Sequence, residues 1–333
     1  MKTTEIRGVV PVIPTPFLTN GSIDWKSLQS LLDFAGAAGV SAVCLPAYAS
    51  EFYKLTDSER RDVALRAIDL VGTILPVIGQ VNHVSTVHAV ETARELERAG
   101  VAAISVAVPR LFNLPEHDLL RHFDRILESI SVPLLIQDFN PGGSTVSLNF
   151  LQQLRRQHQH FRYLKLEEPL MFERVRAIID GTNGELGVFE GWGGVYMLEL
   201  INAGIAGVMP GLAVSDVLQF AWDCARGGDQ NGAYSAFACV LPQIAFSLQS
   251  LEFFHHAEKA LLVARGVLPA ATVRELTLTI GGGDRDHIDF LNRKVLECVE
   301  RLGLEGRRDP ARGERDPDLS QLPVSSVSGD DCG

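Results

Sequence analysis

A lysine and a glutamate two residues apart are the pair in this sequence best placed to do chemistry. Lys165 and Glu167 lie at the end of a mostly apolar segment, Tyr163–Glu167, which is predicted to form a buried strand. Because side chains alternate across a strand, Lys165 and Glu167 share one face, and the leucines beside them share the other. Partial desolvation of Lys165 favours the neutral amine that attacks a carbonyl, whereas an ionised Glu167 favours the ammonium. An exposed, inert ion pair at a strand end remains an equal alternative.

Polar or small residues at the ends of three other predicted strands could complete a site around this lysine. They are Tyr48, Ala49, Ser50 and Glu51 after the second strand, Gln137 and Asp138 at the end of the fifth, and Glu190 and Gly191 at the end of the seventh. Asp138 could act as an acid or base, or it could only cap a turn. A glycine such as Gly191 either admits a ligand or only makes the turn.

Short apolar segments alternate with amphipathic ones along most of the chain, a pattern typical of βα units with parallel strands. The predicted strands are Gly8–Pro14, Ser41–Pro46, Leu75–Val81, Ala102–Val108, Pro133–Asp138, Tyr163–Glu167, Gly187–Gly191 and Ala206–Met209. Eight such units are the number that closes a (β/α)8 TIM barrel, whose active site lies at the C-terminal ends of the strands. No glycine-rich dinucleotide or P-loop motif occurs at the positions that would support a nucleotide-binding fold.

The chain divides into three predicted parts: a barrel over residues 1–227, a C-terminal helical bundle over 228–304, and a tail over 305–333. The predicted helical stretches of the bundle are Ala233–Gln249, Phe254–Arg265, Thr272–Leu276 and His287–Leu302. The tail is polar and rich in proline and glycine, which predicts disorder. Within the barrel, Thr56 and Glu59 form a capping box that predicts a helix start. Gly39, Gly100 and Gly204 suit helix C-termini.

Composition excludes several classes of protein. The chain has 333 residues and a formal net charge of −11, which argues against partners such as nucleic acid or anionic membranes. The five cysteines are scattered and odd in number, so neither a disulfide framework nor a structural zinc site is expected. Together with an N-terminus unlike a signal peptide, they predict a cytoplasmic protein. The histidines form no metal-binding motif, so no metal is expected.

Several of these motifs, in this order, resemble the dihydrodipicolinate synthase / N-acetylneuraminate lyase family over about residues 5–303. Val10–Phe17 is similar to the opening strand of the family with its Thr-Pro-Phe end. Ala47–Glu51 followed by Leu55–Arg60 lies where the family has Gly-Thr-Thr-Gly-Glu and the start of its second helix. Tyr163–Lys165 occupies the place of the Ile-Lys that carries the Schiff-base lysine. Ala257–Leu261 resembles the C-terminal helical signature.

The resemblance implies a small-molecule substrate, a pyruvate-like 2-oxo acid whose C2 carbonyl condenses with Lys165. The substrate carboxylate would be held at the Ser50 loop by the hydroxyl and nearby backbone N–H groups. The protonated imine would act as the electron sink, so the resemblance implies no cofactor and no metal. It also implies a homo-oligomer, either a tetramer or a dimer.

Departures from the family pattern narrow the substrate. The relay tyrosine at the end of strand five is absent, because this chain has Gln137–Pro141 there. Gly142–Ser144 replaces the arginine that holds the second carboxylate in the synthase, which argues against dihydrodipicolinate synthesis. The substituted motifs are similar to the 2-keto-3-deoxy-L-arabonate dehydratase branch in Ser50-Glu51, Gln137-Asp138, Lys165-Leu-Glu167 and Gly207-Val-Met209-Pro210. Glu190 departs from the glycine of that branch, and a carboxylate at the pocket mouth would favour hydroxyls over a second acid.

The expected activity is therefore a Schiff-base dehydratase that converts 2-keto-3-deoxy-L-arabonate to 2-oxoglutarate semialdehyde. Lys165 would form the imine, Glu167 is the first candidate for the acid/base and Asp138 the second, and Tyr48 could assist. The expected substrate-binding residues are Ser50, Ala49, Tyr48, Gln137, Glu190, Gly191 and Met209. Two alternatives remain: a pyruvate-dependent aldolase that cleaves a 4-hydroxy-2-oxo acid, and a catalytically silent paralogue that binds a keto acid.

Overall fold

Eight parallel strands alternate with helices in the computed structural model, which describes residues 5–140 and 145–304. The strands are β1 (Gly8–Val9), β2 (Val43–Leu45), β3 (Val77–Gln80), β4 (Ala103–Ala107), β5 (Leu134–Phe139), β6 (Phe161–Glu167), β7 (Gly187–Glu190) and β8 (Gly207–Val208). Each lies within a segment predicted as a strand or extends it by one or two residues. The strand β1 is the most shortened, because the chain beyond it contains Pro11 and Pro14, which donate no backbone hydrogen bond.

The strands form one sheet in the order β1-β8-β7-β6-β5-β4-β3-β2, with every neighbouring pair parallel. The sheet closes on itself beyond β1, where Val12 bridges both Cys44 of β2 and Gly211 after β8. A closed ring of eight parallel strands with helices outside confirms the predicted (β/α)8 barrel with its C-terminal helical extension.

One helix follows each strand, and local signals set where the helices begin and end. They are α1 (Trp25–Ala37), α2 (Asp57–Val71), α3 (Thr86–Ala99), α4 (Glu116–Leu127), α5 (Leu148–Gln157), α6 (Met171–Gly181), α7 (Met197–Ala203) and α8 (Ser215–Gly227). The Thr56 hydroxyl accepts from the Glu59 N–H and the Glu59 carboxylate accepts from the Thr56 N–H, so the predicted capping box is confirmed. Gly100 and Gly204 follow α3 and α7 with φ of 95° and 93°, the left-handed conformation that glycine adopts without strain.

Two apolar layers hold the barrel together. The larger lies between the sheet and the surrounding helices and includes Leu164 and Leu166 of β6. The smaller fills the inside of the barrel and includes Tyr163, Phe189 and Met209. Because Tyr163 belongs to the inner layer, alternation along β6 directs Lys165 inward as well.

The chain after α8 forms three further helices, α9 (Gln230–Ser247), α10 (Leu251–Ala264) and α11 (Gly282–Arg301). The predicted helix at Thr272–Leu276 is wrong, because this segment is irregular. Its backbone groups serve distant partners instead: the Thr272 carbonyl accepts from Lys259, and the Arg274 N–H donates to Glu51. The predicted disordered tail, 305–333, lies outside the described residues. Among the helices of the described ranges, none is long and apolar enough to span a membrane.

Candidate active site

Lys165 lies near the C-terminal end of β6, pointing into the barrel. In register it faces Gln137 on β5 and Phe189 on β7, and only 6% of the lysine is exposed. From the sequence, an exposed ion pair and a desolvated one were equally possible. The structure shows that the pair is buried. This is the end of a (β/α)8 barrel where active sites are built.

Glu167 is the direct partner of the lysine. Its Oε1 lies 3.1 Å from Lys165 Nζ and accepts a 2.7 Å hydrogen bond from Gln137 Nε2. Gln137 Oε1 in turn accepts from Gln80 Nε2 at 2.7 Å, so a chain of amides from β3 and β5 orients the carboxylate. Gln80 was not among the predicted site residues, although a polar residue ending an apolar strand was the signal that could have found it.

Gly191 gives the Glu167 side chain its space. A Cβ on Gly191 would lie 2.3 Å from Glu167 Cγ and 2.9 Å from its Oε1, far closer than two such atoms approach. The predicted choice between a turn glycine and a close-approach glycine therefore falls on close approach, although the neighbour is a protein side chain.

Burial raises the pKa of Glu167 above its usual value, and the Lys165 ammonium and the Gln137 hydrogen bond oppose that rise only in part. A carboxyl group whose pKa is raised can take up and release a proton closer to neutral pH. Glu167 is thus suited to move protons beside the amine.

The turn after β2 places Ser50 at the same end of the barrel. Residues Tyr48–Ser50 form a short 3-10 turn, within which the buried Ser50 Oγ accepts from the Ala47 N–H at 2.9 Å. The Ser50 carbonyl accepts from the Thr15 hydroxyl at 2.6 Å, which ties the turn to the segment after β1. Ala49 is half-buried against the inner apolar layer. This turn orients the Ser50 hydroxyl, which can donate a hydrogen bond to a bound ligand.

Tyr48 lies in the environment of Glu167. Its ring packs edge-on against Phe52, with the ring centroids 4.9 Å apart. It also packs at a tilt against Phe139, with the centroids 5.0 Å apart. Burial raises the pKa of Tyr48, and the negative charge of Glu167 raises it further, so the phenol stays protonated. A protonated phenol near Glu167 can donate a hydrogen bond or a proton in the site.

Asp138 is not brought to the face that carries Lys165. It pairs in register with Leu166, and alternation directs it to the other side of β5. Its Oδ1 receives a 2.6 Å contact from Arg110 Nη2, and its Oδ2 accepts from the Val146 N–H at 2.7 Å. These contacts make Asp138 an anchor for the chain segments on either side of β5.

Glu190 is likewise directed away from the inner face of the barrel. Its neighbour Phe189 belongs to the inner layer, so Glu190 lies on the opposite side of β7. It is fully buried, and its Oε2 accepts from the Gly194 N–H at 2.7 Å. Burial raises the pKa of Glu190 to about 8. The carboxylate expected at the pocket mouth is therefore buried under the β7 loop, whereas Met209 does lie in the inner layer.

Three metal-ligating side chains cluster elsewhere in the described residues. Ligand atoms of Asp57, His83 and His88 all lie within 4.8 Å of one another. However, the two imidazole rings stack at 4.1 Å, and His83 Nδ1 accepts from the Ser85 N–H at 2.9 Å. That hydrogen bond leaves the proton on Nε2, which opposes coordination through this histidine. The cluster does not include the lysine site.

Fold and site together define a (β/α)8-barrel protein with a buried lysine–carboxylate pair at the end of the barrel that carries active sites. Residues 5–233 match the Dihydrodipicolinate synthetase family, and the chain belongs to this family of lyases. The resemblance found in the sequence is thereby confirmed. The chain is 28% identical over 246 residues to the L-2-keto-3-deoxyarabonate dehydratase of Azospirillum brasilense, across 73% of this chain and 80% of that protein.

Solved structures show the same fold. Dihydrodipicolinate synthase from Rhodopseudomonas palustris superposes with a TM-score of 0.81 at 24% identity, covering 87% of this chain and 98% of that one. The sialic acid aldolase of Ruminococcus gnavus superposes with a TM-score of 0.81 at 19% identity, covering 90% of this chain and 99% of that one. At these identities the two structures establish the architecture only.

Proposed function

We propose that this protein is a class I lyase that dehydrates a 2-keto-3-deoxy sugar acid through an imine on Lys165. The observation that carries the proposal is the buried contact between Lys165 Nζ and Glu167 Oε1, 3.1 Å apart at the C-terminal end of the barrel. Imine chemistry needs an amine that is shielded from water and has a proton acceptor beside it. The substrate we favour is 2-keto-3-deoxy-L-arabonate.

The reaction begins when the Lys165 amine adds to the C2 carbonyl and water leaves, which gives a protonated imine. Glu167 takes a C3 proton, and the electron pair is held as an enamine. The C4 hydroxyl then leaves as water, with a proton from Glu167 or Tyr48, and a conjugated imine results. Loss of one C5 proton and of the C5 hydroxyl proton, matched by protonation at C3 and C4, moves the unsaturation to C5 as the aldehyde. Hydrolysis of the imine frees Lys165, and the net change is the loss of one water.

The polar groups around the site favour a substrate with hydroxyls over one with a second carboxylate. Gln80 and Gln137 supply neutral amides in the inner face, and the nearby Arg110 guanidinium is already paired with Asp138 at 2.6 Å. A second carboxylate would need a free cation to offset its desolvation. The keto-deoxyarabonate dehydratase relative supports the same substrate class.

Borohydride reduction tests imine formation directly. We expect treatment with pyruvate and borohydride to add the reduced adduct to the tryptic peptide that contains Lys165, and Lys165→Arg to abolish the adduct. Turnover is then measured on a panel of 2-keto-3-deoxy acids, with separate assays for pyruvate and for semialdehyde. Semialdehyde without pyruvate supports the dehydratase.

Other outcomes replace this proposal with a specific alternative. Pyruvate release identifies the aldolase that the sequence left open. An imine without turnover on any compound identifies a keto-acid-binding protein. Full activity in Lys165→Arg would exclude catalysis through an imine on this lysine.

We also propose, from the resemblance alone, that the protein works in the cytoplasm as a homo-oligomer. Light scattering coupled to size-exclusion chromatography tests the assembly, with a dimer or tetramer expected. A monomer at working concentration would contradict it.

A further inference from the structure

Two cysteines far apart in the sequence meet on the surface of the C-terminal bundle. Cys239 lies on α9 and is half-buried, and Cys298 lies on α11 and is buried. One guanidinium nitrogen of Arg301, Nη2, lies within hydrogen-bond distance of Cys239 Sγ and 3.9 Å from Cys298 Sγ. Both thiols are reduced in this structure.

The surroundings give the two thiols different properties. Arg301 places a positive charge against the more accessible sulfur, that of Cys239, and the Cys239 thiol donates to the Ser235 carbonyl at 3.0 Å. Burial raises the pKa of Cys298 to about 12, and its hydrogen bond to Cys239 contributes to that rise. Cys298 is therefore disfavoured as the attacking thiolate, and Cys239 is the more accessible of the two sulfurs.

The other described cysteines lack these features. Cys44 is buried in the inner layer of the barrel, and burial raises its pKa to about 12. Burial and the negative charges of Asp229 and Asp223 raise the pKa of Cys224. Both thiols are disfavoured as nucleophiles, because the thiolate is the reactive form.

We propose that Cys239 and Cys298 form a redox modification site, in which a peroxide converts the pair to a reversible disulfide that links α9 to α11. The Cys239 thiolate attacks one peroxide oxygen and becomes a sulfenic acid, and the other oxygen leaves as water or alcohol. Cys298 then attacks the sulfenic sulfur, a second water leaves, and the disulfide forms. Two thiols are oxidised, one peroxide is reduced, and a dithiol reverses the step.

The bond would tie together two helices that are neighbours only in the folded bundle. Fifty-eight residues separate the two cysteines in the chain, including all of α10. This inference is independent of the proposed lyase activity, because none of its three residues belongs to the lysine site.

Peptide mapping of the full chain tests the proposal. The reduced protein is exposed to graded hydrogen peroxide, alkylated with N-ethylmaleimide and digested with trypsin. Cys239 and Cys298 fall in separate tryptic peptides, 227–259 and 295–301, each with a single cysteine. We expect these two peptides to appear linked at low peroxide, and to separate after treatment with dithiothreitol.

Variants separate the roles of the three residues. Cys298→Ala should leave Cys239 as a sulfenic acid that dimedone captures. Arg301→Gln should slow the oxidation of Cys239 about three- to tenfold, since the cation that contacts the attacking sulfur is lost. Cys224→Ser is the matched control and should leave the linked peptide unchanged. The proposal fails if Cys239 is oxidised no faster than Cys224. It also fails if Cys239 is oxidised while Cys298 remains open to alkylation, or if urea-unfolded protein gives the same link at the same dose.

Discussion

Glu167 contacts each of the groups that would make it a proton-transfer residue. It touches the Lys165 amine, accepts from Gln137 and packs against the open face of Gly191. Its pKa is raised by burial, while its orientation is set by the amide of Gln137. The position of the Glu167 carboxylate and its proton affinity thus have different causes, and separate substitutions can test each of them.

Replacing Glu167 with glutamine should remove the acid/base while keeping the shape of the side chain. We expect kcat to fall by about 10²–10⁴-fold, the usual contribution of general acid–base catalysis. Borohydride-trapped adduct on Lys165 should still form, because imine formation requires the amine itself. Steady-state kinetics and mass spectrometry measure the two effects.

Glu168 provides the matched control for this substitution. It is the next carboxylate along the chain, but it pairs with Arg174 at 3.4 Å and not with the lysine. Glu168→Gln should keep kcat within about threefold, as expected for a group outside the reacting centre. Equal losses in both variants, or normal turnover in Glu167→Gln, would contradict the role given to Glu167.

Gly191→Ala tests whether the position of Glu167 matters. The added Cβ would come within 2.3 Å of Glu167 Cγ, so the carboxylate must move. A displacement of about 1 Å can lower the rate about 10²-fold, and we expect a loss of that size in kcat. The control is Gly36→Ala on the exposed side of α1, where a Cβ meets open space. That control should keep full activity, and an active Gly191→Ala would show that the site tolerates the shift.

The turn that carries Ser50 is attached to the C-terminal bundle through Glu51. This residue is fully buried with a left-handed φ of 58°, and its carboxylate contacts Lys259 Nζ of α10 at 2.5 Å and Lys54 Nζ at 3.0 Å. The Arg274 N–H donates to the same carboxylate at 3.1 Å. The bundle therefore contributes to the conformation of the turn that carries Ser50.

Lys259→Met should uncouple these two elements. Removing one partner of a buried ion pair costs about 3–5 kcal/mol of unfolding free energy where the remaining charge has no other partner. Lys54 still compensates part of the Glu51 charge, so the loss should lie below that range. We expect that loss in urea denaturation, together with a higher KM for the 2-oxo acid because the Ser50 turn loosens. Lys294→Met is the control, since its pair with Glu297 on α11 is exposed and contributes about 0–1 kcal/mol. Equal stability of the two variants would show that the buried pair does not hold the turn.

At the scale of the whole molecule, two buried histidines make a pH-dependent contribution to stability that is lost in acid. Burial lowers the pKa of His122 and of His255 to about 4, against 6.5 for a free histidine. At these two sites the unfolded chain binds protons between pH 6.5 and 4 that the folded chain does not, so the contribution of the two histidines to stability falls as the pH drops through that window. Glu190, whose pKa is raised to about 8, acts in the opposite direction between pH 7 and 5. The loss from each histidine is about 2 kcal/mol between pH 7 and 5.

His122→Gln should flatten this dependence while keeping a polar group near the Thr86 hydroxyl, which lies 2.8 Å from His122 Nδ1. We expect the Tm at pH 5, taken relative to the Tm at pH 7, to be higher in the variant than in the wild type, measured by thermal denaturation in matched buffers. His117→Gln, at an exposed position on α4, is the control and should keep the wild-type slope. An unchanged pH dependence in His122→Gln would mean that His122 takes up its proton equally in the folded and unfolded chain.

Local chemistry made much of this architecture predictable. The strands were predicted because short apolar runs rich in Val, Ile and Ala, bounded by turn residues, are typical of buried parallel strands. The start of helix α2 was predicted, because the capping box of Thr56 and Glu59 is a local signal. The segment Thr272–Leu276 was predicted wrongly as a helix, because its backbone groups form hydrogen bonds with Lys259 and Glu51, which are distant in the sequence.

By itself the sequence determined the barrel, the family and the inward face shared by Lys165 and Glu167, since these follow from periodicity and from motifs read along the chain. Only the tertiary structure decided that this pair is buried, that Asp138 and Glu190 face away from it, and that Cys239 meets Cys298. The physical reason is that burial, charge pairing and side-chain contact depend on residues tens to hundreds of positions away. Those distances are set when the barrel closes and the C-terminal helices pack.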